Sequence, residues 1–398
     1  MSAANDSSRV DSLRERGLPT ARDEDWKYAP VRVLARRDWW ALPTDALSFP
    51  DTAAIDAATL PVDAPRLVFA GGHAVPLSAG GFGALPAGVT LRPLPEAALA
   101  SSAKTTLTDT PAARIELIAA ATSPGGWELA VAAGVDAGSL QLCHLPAAGA
   151  GSLVLRLKLE RGARLTLIES MAGSTSTNAT LTRWIQAKLA ENSVLTQISV
   201  QWLPTDVALL EQVDVTLARD ATYHAFACTL GGQAAHTAAR VTLEGVGANA
   251  HWNQLLRVAG TQHTDSHLTM THAAPQTRST QTVRALADGR GRGAFSGKVV
   301  MVEGAKGADS AQSIRNLLLC ATAELDTRPQ LEIHVDEVKA SHGTTTGSLD
   351  EQALFYLRSR GIDEPEARRL LTQAFTAEVI SRVPVPALRD WLTLRVLP

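Results

Sequence analysis

One short pattern recurs through the middle of the chain, and it constrains the fold more than any single motif. LVLRLKLERGARLTLIES from Leu153 to Ser170 shows it first, and KLAENSVLTQISV, TLARDATYHAFA, TLEGVGANAHWNQ and MVEGAKGADSAQS repeat it. Each joins two alternating runs through a polar or small turn. Aligning Leu159, Leu189, Leu217 and Leu243 gives steps of 30, 28 and 26 residues, and Val302 lies 59 beyond Leu243, about two more steps. Alternation sends successive side chains to opposite faces of a strand. A unit of short strands and turns cannot bury its apolar face alone, so units at this period stack on one another. The expectation is a mainly β chain with a parallel β-helix core; a two-sheet sandwich is the alternative that the pattern leaves open.

The flanks read differently. Expected domains are a mixed, partly helical region over 1–120, the β-helix over 121–345 and a helical domain over 346–398. Near the N-terminus, a first helical turn is expected around Val10–Arg16. In TARDEDWKY the acidic residues cluster as they do where a helix begins, with Trp26, Tyr28, Trp39 and Trp40 as docking mass. The stretch from Phe49 to about Ser102 is rich in Ala, Pro and Gly and reads as a loose αβ region. In the tail, IHVDEVKASHGTTTGSLDEQALFYLRSRGI passes from strand spacing through a polar turn holding His342 to helical spacing. Ser348 and Glu351 have capping-box spacing, Gly361 is a stop, and Asp363 with Glu366 starts a second helix with Pro365 in its first turn. There Ala367, Leu370, Leu371, Ala374, Phe375 and Glu378 follow steps of three and four, so an apolar face needs cover from the β body or a partner.

Totals exclude several classes. A net charge of −3 with scattered arginines offers no stripe for a phosphate backbone, so no nucleic-acid partner is expected. Cys143, Cys228 and Cys320 lie far apart, giving neither a disulfide framework nor a cysteine metal cluster, which suits a reducing cytoplasm. No apolar run has membrane-span length, and MSAANDSSRVDSLRERG lacks the apolar core of a signal peptide. GRGAFSGKVV departs from a phosphate-binding loop at Arg292 and Val299.

Histidine is the more informative residue: eight of ten fall between His224 and His342. In TQHTDSHLTMTH, His263, Asp265 and His267 would share one face of a strand and form an alternative metal site. The competing reading is a polar ladder whose rings bond to neighbouring hydroxyls and backbone. His342 in its turn is either a turn histidine or an imidazole ligand.

Three stretches, GLPTARDEDWKY, NLLLCATAELDTRPQLEIHVDEVKASHGTTTGSLDEQALFYLRSRGI and ARRLLTQAFTAEVI, resemble the SufD family of scaffold subunits in the Suf iron–sulfur cluster assembly machine. THAAPQTRSTQ and FSGKVVMVEGA extend the resemblance through the body. It implies a right-handed β-helix between helical flanks and a non-catalytic subunit that pairs with a SufB-like subunit through the β-helix. It also implies a SufC-like ATPase docked on the C-terminal helices, with Leu354, Phe355, Tyr356, Leu370, Leu371 and Phe375 as candidate contacts. No cofactor is expected to be bound stably; the iron–sulfur cluster would be transient, and His342 maps onto the family histidine at the partner interface. The family often has cysteine two residues before it, where this chain has Ala340, so sulfur ligands would come from the partner. Cys320, in an apolar run, reads as a buried structural thiol. Self-association of the isolated chain stays open. The readings from other classes are a secreted-type β-helix enzyme and a stand-alone His-rich metal-binding solenoid.

Overall fold

A computed structural model of the chain describes residues 17–39, 50–76, 85–95, 111–146, 150–173 and 179–397. Val10–Arg16 and Trp40 lie outside the described residues. The first strands are β1 (Arg66–Ala70), β2 (His73–Ala74), β3 (Val89–Leu94), β4 (Gly126–Val131), β5 (Asp136–Leu145) and β6 (Ala150–Leu159). Next come β7 (Arg164–Ala172), β8 (Thr180–Leu189), β9 (Val194–Trp202), β10 (Ala208–Leu217), β11 (Thr222–Thr229), β12 (Ala234–Leu243) and β13 (Asn249–Val258). The stack ends with β14 (His263–His272), β15 (Arg278–Ala287), β16 (Arg292–Met301), β17 (Asp309–Leu318), β18 (Glu324–Ile333) and β19 (Lys339–Ser348). Helices are α1 (Val31–Leu34), α2 (Thr52–Ala57), α3 (Pro111–Thr122), α4 (Glu351–Ser359), α5 (Glu364–Ile380) and α6 (Pro386–Val396).

From β4 onward consecutive strands alternate between two sheets, odd-numbered in one and even-numbered in the other, so each pair makes one rung of a parallel solenoid. This is the expected β-helix and excludes the sandwich. The repeat alignment is borne out residue by residue: Leu159, Leu189, Leu217 and Leu243 are successive register partners. Farther on, Leu243 pairs with His272 and His272 with Met301, so the two-step match is Met301 rather than Val302. Buried His272 holds the apolar position because Thr277 Oγ1 and Ser279 Oγ each lie 2.8 Å from one of its ring nitrogens. Burial lowers its pKa to about 4, which keeps it neutral in the core.

The turns stack as regularly as the strands. Gly162, Asn192, Asp220 and Gly247 each take a left-handed conformation. The N–H of each donates to a carbonyl of the next rung, Asn192 to Arg219 at 3.0 Å and Asp220 to Val246 at 3.0 Å. Glycine carries no Cβ penalty there, and Asn and Asp tolerate it best among the rest.

Two covers seal the outer faces. Trp26, Leu34 and Trp39 pack with Ile115 and Ile118 of α3 onto Ala208, Leu210 and Ala234 of the even sheet. On the odd sheet, Ile198, Phe226, Leu255 and Leu286 meet Leu354, Val379, Ile380, Leu388 and Leu392 of the C-terminal helices.

The C-terminal region, from β19 through these helices, corrects the sequence reading in four places. A third one, α6, follows the expected two, starting at a proline in its first turn. The cap of α4 is Asp350, whose carboxylate accepts from Gln352 N at 2.9 Å, while Ser348 belongs to β19. The buried face of α5 runs through Ala367, Thr372, Thr376, Val379 and Ile380 rather than Leu370 and Ala374. Thr372 and Thr376 pass for polar in the periodicity, but each hydroxyl donates to a carbonyl one turn back, which removes the cost of burying it. Finally, His342 lies within a strand and not in a turn. The Gly and Thr around it pair in register with β17, and Asn316 Nδ2 donates to Thr346 Oγ1 at 3.1 Å.

Candidate functional site

The two ends of the solenoid differ. At the N-terminal end the sheets are closed by antiparallel strands, β2 on β1 and β3 on β4. At the other end β18 and β19 are the outermost strands among the described residues, each paired on one side only. Such an edge offers a row of unpaired N–H and C=O groups. β18 is guarded by Glu324, Asp326, Arg328 and Glu332 and by Pro329, all of which discourage strand addition. β19 carries only Lys339 at its start and is otherwise KASHGTTTGS, almost wholly exposed. A long, exposed and nearly uncharged edge is a template for another chain.

His342 is on this strand, in register with Gln312 and, one rung deeper, Gln281. It has the parity of Ala340, which packs on the main core, so it stands on the inward side of an uncovered rung. Beneath it Gln312 Nε2 donates to Gln281 Oε1 at 2.7 Å. The nearest cysteine in sequence, Cys320, is half-buried, with Sγ donating to Gly289 O at 3.2 Å. That binds the thiol to a turn of its own chain, and Ala340 supplies none.

The other candidate residues separate. Leu354 is core, 4% exposed, and Leu371 and Phe375 are partly buried against the same cluster. Leu370 is half-buried. Phe355 and Tyr356 stand out at 74% and 57% exposed, joined on α6 by Leu394 at 79%. Sequence reasoning missed Leu394; the signal was α6 itself.

His263, Asp265 and His267 do share the outer face of β14, under the N-terminal segment. His263 Nε2 lies 2.8 Å from Tyr28 O. Buried Asp265 instead joins His236 Nδ1 at 3.0 Å and His267 Nε2 at 3.1 Å, and Trp26 lies on His236 with ring centroids 4.1 Å apart. This is the ladder reading: the rings fasten residues 24–28 to the solenoid. Among the described residues no group of three or more His, Cys, Asp or Glu is placed to hold a metal ion. Burial opposes charge on both partners, yet Asp265 holds His267 above the ordinary histidine value, and the two imidazoles bring Asp265 down to about 2. Burial keeps His236 below its ordinary value. The sign follows: the raised His267 contributes below its unfolded pKa and loses that contribution as pH rises through the folded value. The depressed Asp265 contributes above its unfolded pKa and loses it as pH falls toward about 2. Hydrogen exchange of residues 20–34, corrected for intrinsic rates, is therefore expected to be faster at about pH 9 than at about pH 5.5. Equal protection at the two would show that the ion pair does not hold the segment.

A second group that sequence reasoning missed lies inside the solenoid. Arg183, fully buried, faces Glu169 and Glu211. Gln197 Nε2 donates to Glu169 at 2.5 Å, and Tyr223 Oη to Gln197 Oε1 at 2.7 Å. Period-two counting from the leucines gives the signal, because Arg183 has the parity of Ile185 and Leu189.

Among the described residues no helix is long and apolar enough to cross a membrane. The sequence profile described as "SUF system FeS cluster assembly, SufBD core domain" matches residues 152–375, from β6 to α5. The iron–sulfur cluster assembly protein SufD of Escherichia coli (strain K12) is 27% identical over 397 residues, which is 97% of this chain and 90% of that one. SufBD family proteins of Synechocystis and Mycobacterium leprae are 30% and 34% identical over 60% and 49% of the chain. The chain spans 54% and 53% of those two relatives. With the profile covering more than half its length on the rungs that carry the open end, the chain belongs to the SufBD family.

Proposed function

We propose that this chain is a non-catalytic scaffold subunit of a cytoplasmic complex that assembles iron–sulfur clusters; family membership supports the role in cluster assembly. The observation that carries the scaffold reading is the exposed, nearly uncharged edge of β19. A SufB-like subunit adds its own solenoid there, pairing backbone with backbone. His342 then faces the joint, and since Ala340 replaces a thiolate, the sulfur ligands for the nascent cluster come from the partner. A neutral imidazole is a competent iron ligand beside them. A SufC-like ATPase docks on Phe355 and Tyr356 of α4, and closure of two ATPase subunits shifts the paired solenoids and opens the joint. The cluster is cargo, held transiently.

The test replaces His342 by alanine and reconstitutes with SufB-like and SufC-like subunits. Because the side chain is exposed, stability is expected to stay within about 0.5 kcal/mol, while cluster formation, followed by absorbance and bound iron, falls at least tenfold. Undiminished assembly would take His342 out of the mechanism.

A further inference from the structure

On the outer face of the odd-numbered sheet, away from the open end, Thr196, His224, His251 and Thr280 are successive register partners. The two imidazoles stack with centroids 4.9 Å apart and planes within 9°, at about the spacing of neighbouring strands. His251 is fixed through Nδ1 by Thr280 Oγ1 at 2.9 Å, while His224 is exposed. Beside them opens a groove of about 350 Å³, with the edge of Phe226 in its floor above buried Ile198, and Arg382 and Pro384, from the connection between α5 and α6, in its wall. It lies at the joint between solenoid and C-terminal helices, where small-molecule sites commonly form, and has their usual make-up of apolar floor and a few convergent polar groups.

The charges around it are one-sided. No acidic residue lines the groove. The nearest carboxylate to Arg382, Glu378, is 3.8 Å away and is held at 2.5 Å by Arg284. Partial burial of the rings, His224 with an open edge, keeps both imidazoles below the ordinary histidine pKa, and His224 and Arg382 push His251 the same way. Protonating the stacked pair beside a guanidinium would gather like charges, and Glu378, shared between Arg284 and Arg382, lines no part of the groove to offset those on the imidazoles.

We propose that this groove binds a small organic anion, a carboxylate or phosphate on an apolar body, with its head on Arg382 and His224 and its body against Pro384 and the edge of Phe226. The anion supplies the missing counter-charge, so binding raises the pKa of the imidazoles and takes up protons. Affinity therefore increases as pH falls through the histidine range. The groups facing the site are His224, His251 and Arg382, with Glu378 behind Arg382. This site requires neither partner pairing nor ATPase docking.

Titration calorimetry of the full chain with phenyl phosphate, benzoate and inorganic phosphate tests it, at about pH 6 and about pH 8. Phenyl phosphate or benzoate is expected to bind at one site, more tightly at the lower pH and with proton uptake; which of the two binds better identifies the head group. Arg382→Gln and His224→Ala, both at exposed side chains, are each expected to weaken binding about tenfold with an unchanged circular-dichroism spectrum. The proposal is overturned if neither aromatic anion binds, if both variants bind as the parent does, or if inorganic phosphate binds as tightly as phenyl phosphate.

Discussion

Replacing Arg183 by alanine is expected to cost about 3–5 kcal/mol, the largest loss from any single interior substitution proposed for this chain. The guanidinium is fully buried and is the cation facing Glu169 and Glu211; its bond to Glu211 is 2.9 Å. Burial raises the pKa of Glu211 and Arg183 opposes that rise, so without the arginine two acids are left in a low-dielectric core with no counter-charge. The cost therefore comes from stranding the acids more than from losing an attraction. Combining Arg183→Met with Glu169→Gln and Glu211→Gln removes every charge while keeping the hydrogen-bonding amides, and should recover more than half of the loss. Urea midpoints of the single and triple variants decide it. A triple variant as unstable as Arg183→Ala would mean that packing of the arginine stem, not its charge, is what the core requires.

The second large effect concerns binding. Phe355→Ser with Tyr356→Ala is expected to weaken association with a SufC-like ATPase by about 100-fold or more, on the scale of aromatic anchors at an interface centre. Stability should move by no more than about 0.5 kcal/mol, since these side chains are 74% and 57% exposed. Leu354, one position earlier and 4% exposed, should behave in the opposite way: alanine there costs about 2–5 kcal/mol of stability through the core of the C-terminal helices. Point variants are cleaner than removing α4 to α6, because deletion would bare Ile198, Phe226, Leu255 and Leu286 on the odd sheet. Calorimetric affinity of the double variant checks this, and parent-like binding would move the docking surface away from α4.

The solenoid was legible because its core repeats in register. Leu159, Leu189, Leu217 and Leu243 are spaced by the rung itself, so counting along the chain is counting along the axis. What escaped had weaker local signals or depended on distant partners. The run from Ser341 to Ser348 has the composition of a turn, and only β17 beside it makes it a strand. The buried threonines of α5 read as surface until their hydroxyls are seen bonded within the helix. Asp265 was correctly placed on a face with its two histidines, but the sequence could not show that His236, a rung away, would take the place of His263. Of the six residues marked for docking, spacing could not separate core from surface, because α4 has exposed aromatics immediately beside its buried leucine.

The open rung has a thermodynamic consequence. In a one-dimensional stack, stability is close to a sum over neighbour contacts, so an interior rung is stabilised from two sides and a terminal one from a single side. Among the described residues β18 and β19 have no outer neighbour; they are the rung whose local opening takes the least free energy, and of the rungs this one should show the fastest amide exchange. The sister solenoid proposed above would turn that end rung into an interior one. On the proposed pairing, order around His342 would be a product of assembly, and an unpaired subunit would carry a candidate ligand whose position is not yet fixed.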